Sequence, residues 1–173
     1  MNHARIGFGG GCHWCTEAVF NALRGVEQVS QGFIKSDPPH DSFSEAVLVD
    51  YKPAEIPLEV LIEIHLRTHS STSNHQMRGK YRSAVYVFSN EQSEATQDAL
   101  ATLQGAFDLK LVTQVLQHVA FRASDEQFAN YQEKNADGPF CERYIDPKLD
   151  LLRDKYGDWV KAGSSRAIPQ RQA

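Results

Sequence analysis

The sequence predicts an α+β domain: a mixed or antiparallel sheet with helices packed on it, around a ferredoxin-like core. Three observations lead there. Stretches with helical apolar spacing are interleaved with short stretches of strand character. Two strand segments, 26–34 and 44–51, follow one another with only a turn between them, so the order is not simple βαβ alternation. The chain of 173 residues is 41% hydrophobic, enough to bury one core without staples or a structural metal.

Residues 4–9 (ARIGFG) read as a strand running into Gly9, Gly10 and Gly11. From 12 to 23, Trp14, Ala18, Val19, Ala22 and Leu23 recur at helical spacing, and Gly25 ends that helix. The segments VEQVSQGFI (26–34) and SEAVLVDY (44–51) are separated by the turn-rich KSDPPHDSF and are expected to pair antiparallel. Pro57 suits the start of a helix whose buried stripe is Leu58, Leu61, Ile62, His65 and Leu66. A polar loop spans 69–80, SAVYVF (83–88) is a compact strand, and Asn90 can cap a helix over 91–104. LVTQVLQHV (111–119) alternates like a strand, a helix is expected over 125–134, and 139–156 reads as a loop carrying Cys141 followed by a short helix from Pro147. There is no internal repeat and no linker. A single catalytic domain over 1–157 and a flexible C-terminal tail over 158–173 are expected, because the end of the chain has little apolar content.

Charged residues make up 23% of the chain, which excludes a disordered polyelectrolyte. A net charge of −4 and a pI near 6.0 give no basic face for nucleic acid or anionic lipid. No apolar run reaches signal-peptide or membrane-span length, so a cytoplasmic monomer without membrane or nucleic-acid partners is expected. Three cysteines are too few, and odd in number, for a secreted disulfide framework, which turns attention to Cys12, Cys15 and Cys141 as reactive or metal-binding groups.

Three glycines between a strand and a helix let a ligand approach the main chain, and the helix then begins at a thiol. Unpaired backbone N–H groups and the positive end of the helix dipole favour thiolate there, so Cys12 is placed to be a nucleophile. A phosphate loop is excluded, since neither a Lys-Ser/Thr pair nor a third spaced glycine follows. A tight turn around a small buried residue is the plain alternative. Cys12-His13-Trp14-Cys15 is also a CxxC at a helix start, the arrangement of thiol–disulfide oxidoreductases and redox sensors. A zinc-binding module would use Cys12, Cys15, Cys141 and a histidine, although structural zinc usually brings two close ligand pairs and only one exists here.

GGGCHWCTEAVF resembles the GGCFWGAE signature of type A methionine sulfoxide reductases, with Cys12 on the nucleophile. In the same order, SEAVLVDYKP is similar to the family's HAEVVxVxYDP, KYRSAVY to TQYRSAIY, and EKNADGPFC to the KNPxGYC block, while Gly25 and Val26 match a GV. Together these cover residues 6–148. The resemblance implies a peptide-methionine (S)-S-oxide reductase that needs no cofactor or metal and is re-reduced by a thioredoxin-like donor. Its substrate would be methionine sulfoxide, free or in proteins. Glu45 falls on the acid that protonates the sulfoxide oxygen, Tyr81 on a tyrosine binding that oxygen, and Trp14 on the aromatic wall for the substrate methyl group. Cys141 falls on the resolving cysteine, and Cys15 is an alternative by its local spacing. Phe33 and His13 are expected in the substrate pocket, His13 standing where the family has phenylalanine. Cys15 replaces the family's glycine. KSDPPHDSFS lacks the family's second oxygen-binding tyrosine, and HSSTSNHQMRG lacks its aspartate, leaving His75 or Gln76 in that neighbourhood.

Overall fold

The computed structural model describes residues 3–125, 135 and 138–161. Its elements are β1 (Ala4–Gly9), α1 (His13–Asn21), β2 (Val26–Lys35), β3 (Ser44–Tyr51), α2 (Leu58–Arg67), β4 (Ala84–Val87), α3 (Asn90–Leu103), β5 (Gln114–Gln117), β6 (Ala120–Ala123) and α4 (Asp146–Tyr156). The strands form one sheet in the order β5-β4-β1-β3-β2-β6. Its centre, β4-β1-β3-β2 built from a βαββαβ run, is the expected ferredoxin-like core, and every pair within it is antiparallel. β6 extends one edge antiparallel to β2, and β5 extends the other parallel to β4, which makes the sheet mixed.

Alternation along the central strands sorts their side chains onto two buried faces. Ile6, Phe8, Val47, Val49, Val85 and Val87 meet the helices, where Phe8 stacks on Phe20 of α1 with ring centres 4.6 Å apart. α2 adds Leu61, Ile62, Ile64 and Leu66 to the same core; of the stripe its spacing predicts, Leu61, Ile62, His65 and Leu66 are buried and Leu58 is half-buried, and Ile64 is buried besides. The opposite face is smaller: Ile34, Ala46, Leu48, Ala84 and Tyr86, with Leu116 and Phe121 at its margin. Arg82 closes that side. Its guanidinium donates to the Tyr86 hydroxyl and to the carbonyls of Ile34 and Ser42. Gly7 must be glycine here, because a Cβ would come within 2.8 Å of Ile34 and 2.9 Å of Tyr86.

Four expectations are corrected. Ser89, not Asn90, caps α3, its hydroxyl accepting from the Gln92 N–H. The strand expected over 111–119 is only Gln114–Gln117, and β6, which the sequence reading did not separate, follows two residues later. Cys141 is not on a loop: it opens a π-helical turn, Cys141–Ile145, that runs directly into α4. It is also fully buried. Past α4, Arg24 N–H donates to the Trp159 carbonyl and Lys161 N–H to that of Ala22, so 159–161 are tied to the end of α1 although a flexible tail was expected from 158. The helix expected over 125–134 and the tail over 162–173 fall outside the described residues. Among the described residues, no helix is long and apolar enough to cross a membrane.

Candidate active site

β1 ends at Gly9, and Gly10 and Gly11 turn the chain onto α1. Gly10 has φ +154, and a Cβ on it would come within 2.4 Å of the His69 ring, so two independent reasons exclude any other residue. Cys12 takes the N-cap position of α1 with non-helical angles, φ −58 and ψ 126, and is half-buried. Its carbonyl accepts the N–H groups of Cys15 and Thr16, closing the first helical turn.

The thiol of Cys15, one turn along, donates to the Cys12 sulfur, and this is the largest influence favouring the Cys12 thiolate. Burial works against it. The backbone N–H groups of Trp14 and Cys15 add to the lowering, and the nearby charge of Glu45 opposes it. The balance holds Cys12 below the ordinary thiol range. Cys15 is pushed far up for the reciprocal reason, being the donor of the pair and buried. Cys141 adds to that rise and Lys148 opposes it. Lys148 comes from α4, donates to the Thr68 carbonyl, and has its ammonium pKa lowered by burial. All three cysteines are free thiols.

A cavity of about 280 Å³ opens over Cys12. Gly10, Gly11, Cys15, His75, Tyr81 and Lys148 are among the residues that line it, with His69, Phe140 and Tyr144. Of the expected substrate residues, His75 and Tyr81 therefore reach this cavity with Cys12. His75 is exposed and caps the short 3₁₀ turn Gln76–Gly79 through its own ring nitrogen. Tyr81 is half-buried, with the Lys80 ammonium 5.0 Å from its ring centre. Trp14, His13, Phe33 and Glu45 do not line this cavity. Trp14 packs edge-on against Phe140, a cavity residue, at 5.3 Å.

Glu45 and His13 meet behind Cys12. Glu45 lies on the helix face of β3 beside Val47, 7% exposed, and its Oε1 accepts the His13 backbone N–H at 3.3 Å. The same oxygen is 3.3 Å from His13 Nε2, and Lys80 Nζ is 3.7 Å from Oε2. His13 is turned inward, its Nδ1 2.8 Å from the Gly32 carbonyl and its ring edge-on to Phe33 at 5.3 Å. Sequence reasoning missed His69 and Lys148. The signal for Lys148 was a lysine in the first turn after Pro147; for His69 it was a histidine just past the end of the α2 stripe.

Among the described residues, no group of three or more His, Cys, Asp or Glu side chains is arranged to hold a metal ion. A helix-start thiol biased toward thiolate, with a second thiol donating to it and a third close by, is the site of a cysteine-based redox protein. Comparison with known proteins narrows this. Residues 4–159 match the family model described as peptide methionine sulfoxide reductase. A protein of Acinetobacter baumannii named peptide methionine sulfoxide reductase MsrA is 32% identical, over 89% of this chain and 96% of that protein. The chain belongs to the peptide methionine sulfoxide reductase family. Its fold is that of Mxr1 from Saccharomyces cerevisiae in reduced form, 22% identical, with a TM-score of 0.66 over 79% of this chain and 87% of that one. Mxr1 in complex with Trx2 aligns with a TM-score of 0.58 at 20% identity, over 73% and 84% of the two chains.

Proposed function

We propose that the domain, residues 1–157, reduces the S epimer of methionine sulfoxide to methionine in the cytoplasm, with a thioredoxin-like protein as the final electron donor. The observation that carries this reading is the Cys12 sulfur, half-buried under a 280 Å³ cavity and held toward thiolate by the Cys15 thiol and two backbone N–H groups. The thiolate attacks the sulfoxide sulfur and the oxygen takes up one proton. The sulfoxide sulfur is reduced by two electrons and leaves as the thioether, while Cys12 is oxidised to sulfenic acid. Tyr81, which lines the cavity, orients the oxygen, and Glu45, which stands behind Cys12 in this structure and reaches the oxygen only from that side, is the proton donor; both roles follow the family resemblance. Cys15, one helical turn from Cys12 and the largest influence on its thiol, then condenses with the sulfenic acid and releases water. Cys141, whose charge is felt at Cys15, exchanges into that disulfide, freeing Cys12 and leaving a Cys15–Cys141 bridge for the external dithiol. The relative crystallised in complex with Trx2 supports a donor of that kind.

The test is turnover of a methionine sulfoxide peptide with dithiothreitol, on each separate epimer, followed by peptide mapping after one turnover without reductant. Methionine from the S epimer alone, with a Cys15–Cys141 bridge, is expected. No methionine from either epimer ends the reductase reading. A Cys12–Cys141 bridge in wild type and in Cys15→Ser alike removes Cys15 from the relay. The Cys15-to-Cys12 hydrogen bond also suits a CxxC thiol–disulfide oxidoreductase, for which reduction of an insulin disulfide at a rate exceeding that of sulfoxide would be the evidence.

A further inference from the structure

Every imidazole nitrogen that contacts a carbonyl oxygen must carry a hydrogen, because a carbonyl only accepts. His13 Nδ1 lies 2.8 Å from the Gly32 carbonyl, so Nδ1 is protonated. That leaves Nε2 alone to face Glu45 Oε1, at 3.3 Å, with both side chains buried. Three arrangements of this contact can be compared. Neutral His13 opposite an ionised Glu45 sets two lone pairs against each other, out of water, and is unfavourable. Imidazolium opposite a protonated carboxyl sets two hydrogens against each other. Only one proton shared between Nε2 and Oε1 satisfies both atoms, as imidazole with carboxylic acid or as imidazolium with carboxylate.

We propose that His13 and Glu45 hold one proton between them and that this pair, rather than a solitary glutamate, is the acid that protonates the sulfoxide oxygen; the proposal deepens the reductase reading and rests on it. Glu45 gives the proton. His13 is a positioning residue: it returns the proton to Oε1 and keeps that oxygen aimed, since the backbone N–H of the same residue also holds it at 3.3 Å. After transfer, Glu45 is a carboxylate facing neutral His13, the unfavourable arrangement, which draws the next proton in from solvent. The oxygen and the proton that Glu45 gave end on Cys12 as sulfenic acid, and the proton taken from solvent reloads the pair, so each turnover consumes one proton from it and restores it.

The surroundings fit this role from every side. On α1 itself the neighbours are Cys12, whose thiolate opposes charge on Glu45, and Glu17 one turn on, buried and accepting from Gln31 Nε2 at 3.2 Å. β2 presents the Gly32 carbonyl and the Phe33 ring. β6 contributes Arg122, its guanidinium 5.0 Å above Phe33 on the outer side. The loop before β4 supplies Lys80, 3.7 Å from Oε2 and exposed, which stabilises the carboxylate left after transfer. No other acid or base is interposed between Nε2 and Oε1 among the described residues.

Two measurements test the pair, one of them independent of activity. Long-range proton–nitrogen NMR of the seven histidines in the reduced protein, with His13 assigned by its loss in His13→Phe, should show Nδ1 protonated at every pH. Glu45→Gln should change the protonation of Nε2, because the shared proton loses its second holder. A neutral His13 carrying its hydrogen on Nε2, or a titration indifferent to Glu45→Gln, overturns the proposal. In single-turnover release of methionine, His13→Phe should bring the alkaline loss of rate to lower pH, by about one unit, with KM little changed. A loss equal at all pH values would mean a packing role only and overturn it too. If His13→Phe does not fold, His13→Gln, which keeps a donor near Gly32 but holds no titrating proton, should show the same displacement. A wild type that releases no methionine defeats the reductase reading, while the NMR titration still decides whether the two side chains share a proton.

Discussion

Acid should unfold this protein earlier than its carboxylates require, through His65 and His69. His65 Nε2 donates to the Gly9 carbonyl at 2.8 Å, leaving its buried Nδ1 with no hydrogen-bond partner. His69 Nδ1 donates to the His65 carbonyl at 2.5 Å, so Nε2 must accept from the Ser83 hydroxyl at 2.8 Å, which in turn takes the Thr113 hydroxyl hydrogen at 2.7 Å. The rings stack at 4.1 Å, and Arg78 and Lys148 add positive charge. Neither ring has a place for a second proton. Burial holds His69 down at about 4 against its ordinary 6.5, and His65 well below 6.5. Because the folded values are depressed, the unfolded chain binds more protons below pH 6.5. Stability is therefore complete above that pH and is lost as the pH falls toward 4. Between pH 7 and 5 His69 alone should cost about 2 kcal/mol, and His65 adds to the loss in the same direction, against the roughly 5–15 kcal/mol that holds a domain. Urea unfolding followed by tryptophan fluorescence from pH 7.5 to 4.5 measures this, and His69→Gln should flatten the slope by one proton, about 1.4 kcal/mol per pH unit. A wild-type stability that changes by less than about 0.5 kcal/mol between pH 7 and 5 would refute the reasoning.

Other outcomes follow from the same geometry. Cys12→Ser should abolish methionine formation, since a hydroxyl cannot replace a thiolate nucleophile; turnover above background in that variant sinks the mechanism. Cys15→Ala should raise the pH midpoint of iodoacetamide labelling at Cys12, because the largest influence lowering that thiol is removed, and an unchanged midpoint would show the helix N–H groups suffice. Glu45→Gln should slow turnover by about 10² with a smaller effect on KM, and a near-normal kcat would move the proton donor elsewhere. Gly10→Ala should destabilise the fold by about 1–3 kcal/mol, seen as a lower melting temperature in thermal unfolding, and disturb the His69 stack.

The chain from β1 to α2 was legible because its signals are periodic: alternation in SEAVLVDY, the Leu58-to-Leu66 stripe, the glycines between strand and helix. The nucleophile's position came with them. The π-helical turn at Cys141 was not legible, since an extra residue in a helical turn leaves no mark in spacing, and Gly138 and Pro139 read as loop formers. β6 was lost because four residues with Ala at both ends carry little strand character. His13 was read as a pocket wall because only its place beside Cys12 is local. The partners that turn it inward, the Gly32 carbonyl and Glu45, come from strands 19 and 32 residues away. The thiol that most favours the Cys12 thiolate was visible as a CxxC, but spacing alone does not say which sulfur donates.

The burial of Cys141 bears on how the protein meets its reductant. Its sulfur has no exposed surface, and the turn that carries it is packed against α1 and continuous with α4. A dithiol in solution cannot attack a sulfur it cannot reach, so attack on a Cys15–Cys141 bridge at Cys141 waits for that turn to open, while Cys15 faces the cavity. The rate of recovery through Cys141 should therefore climb with dithiol concentration and then level off at a ceiling set by the opening frequency. A protein donor that binds the open turn would lift that ceiling by holding it open.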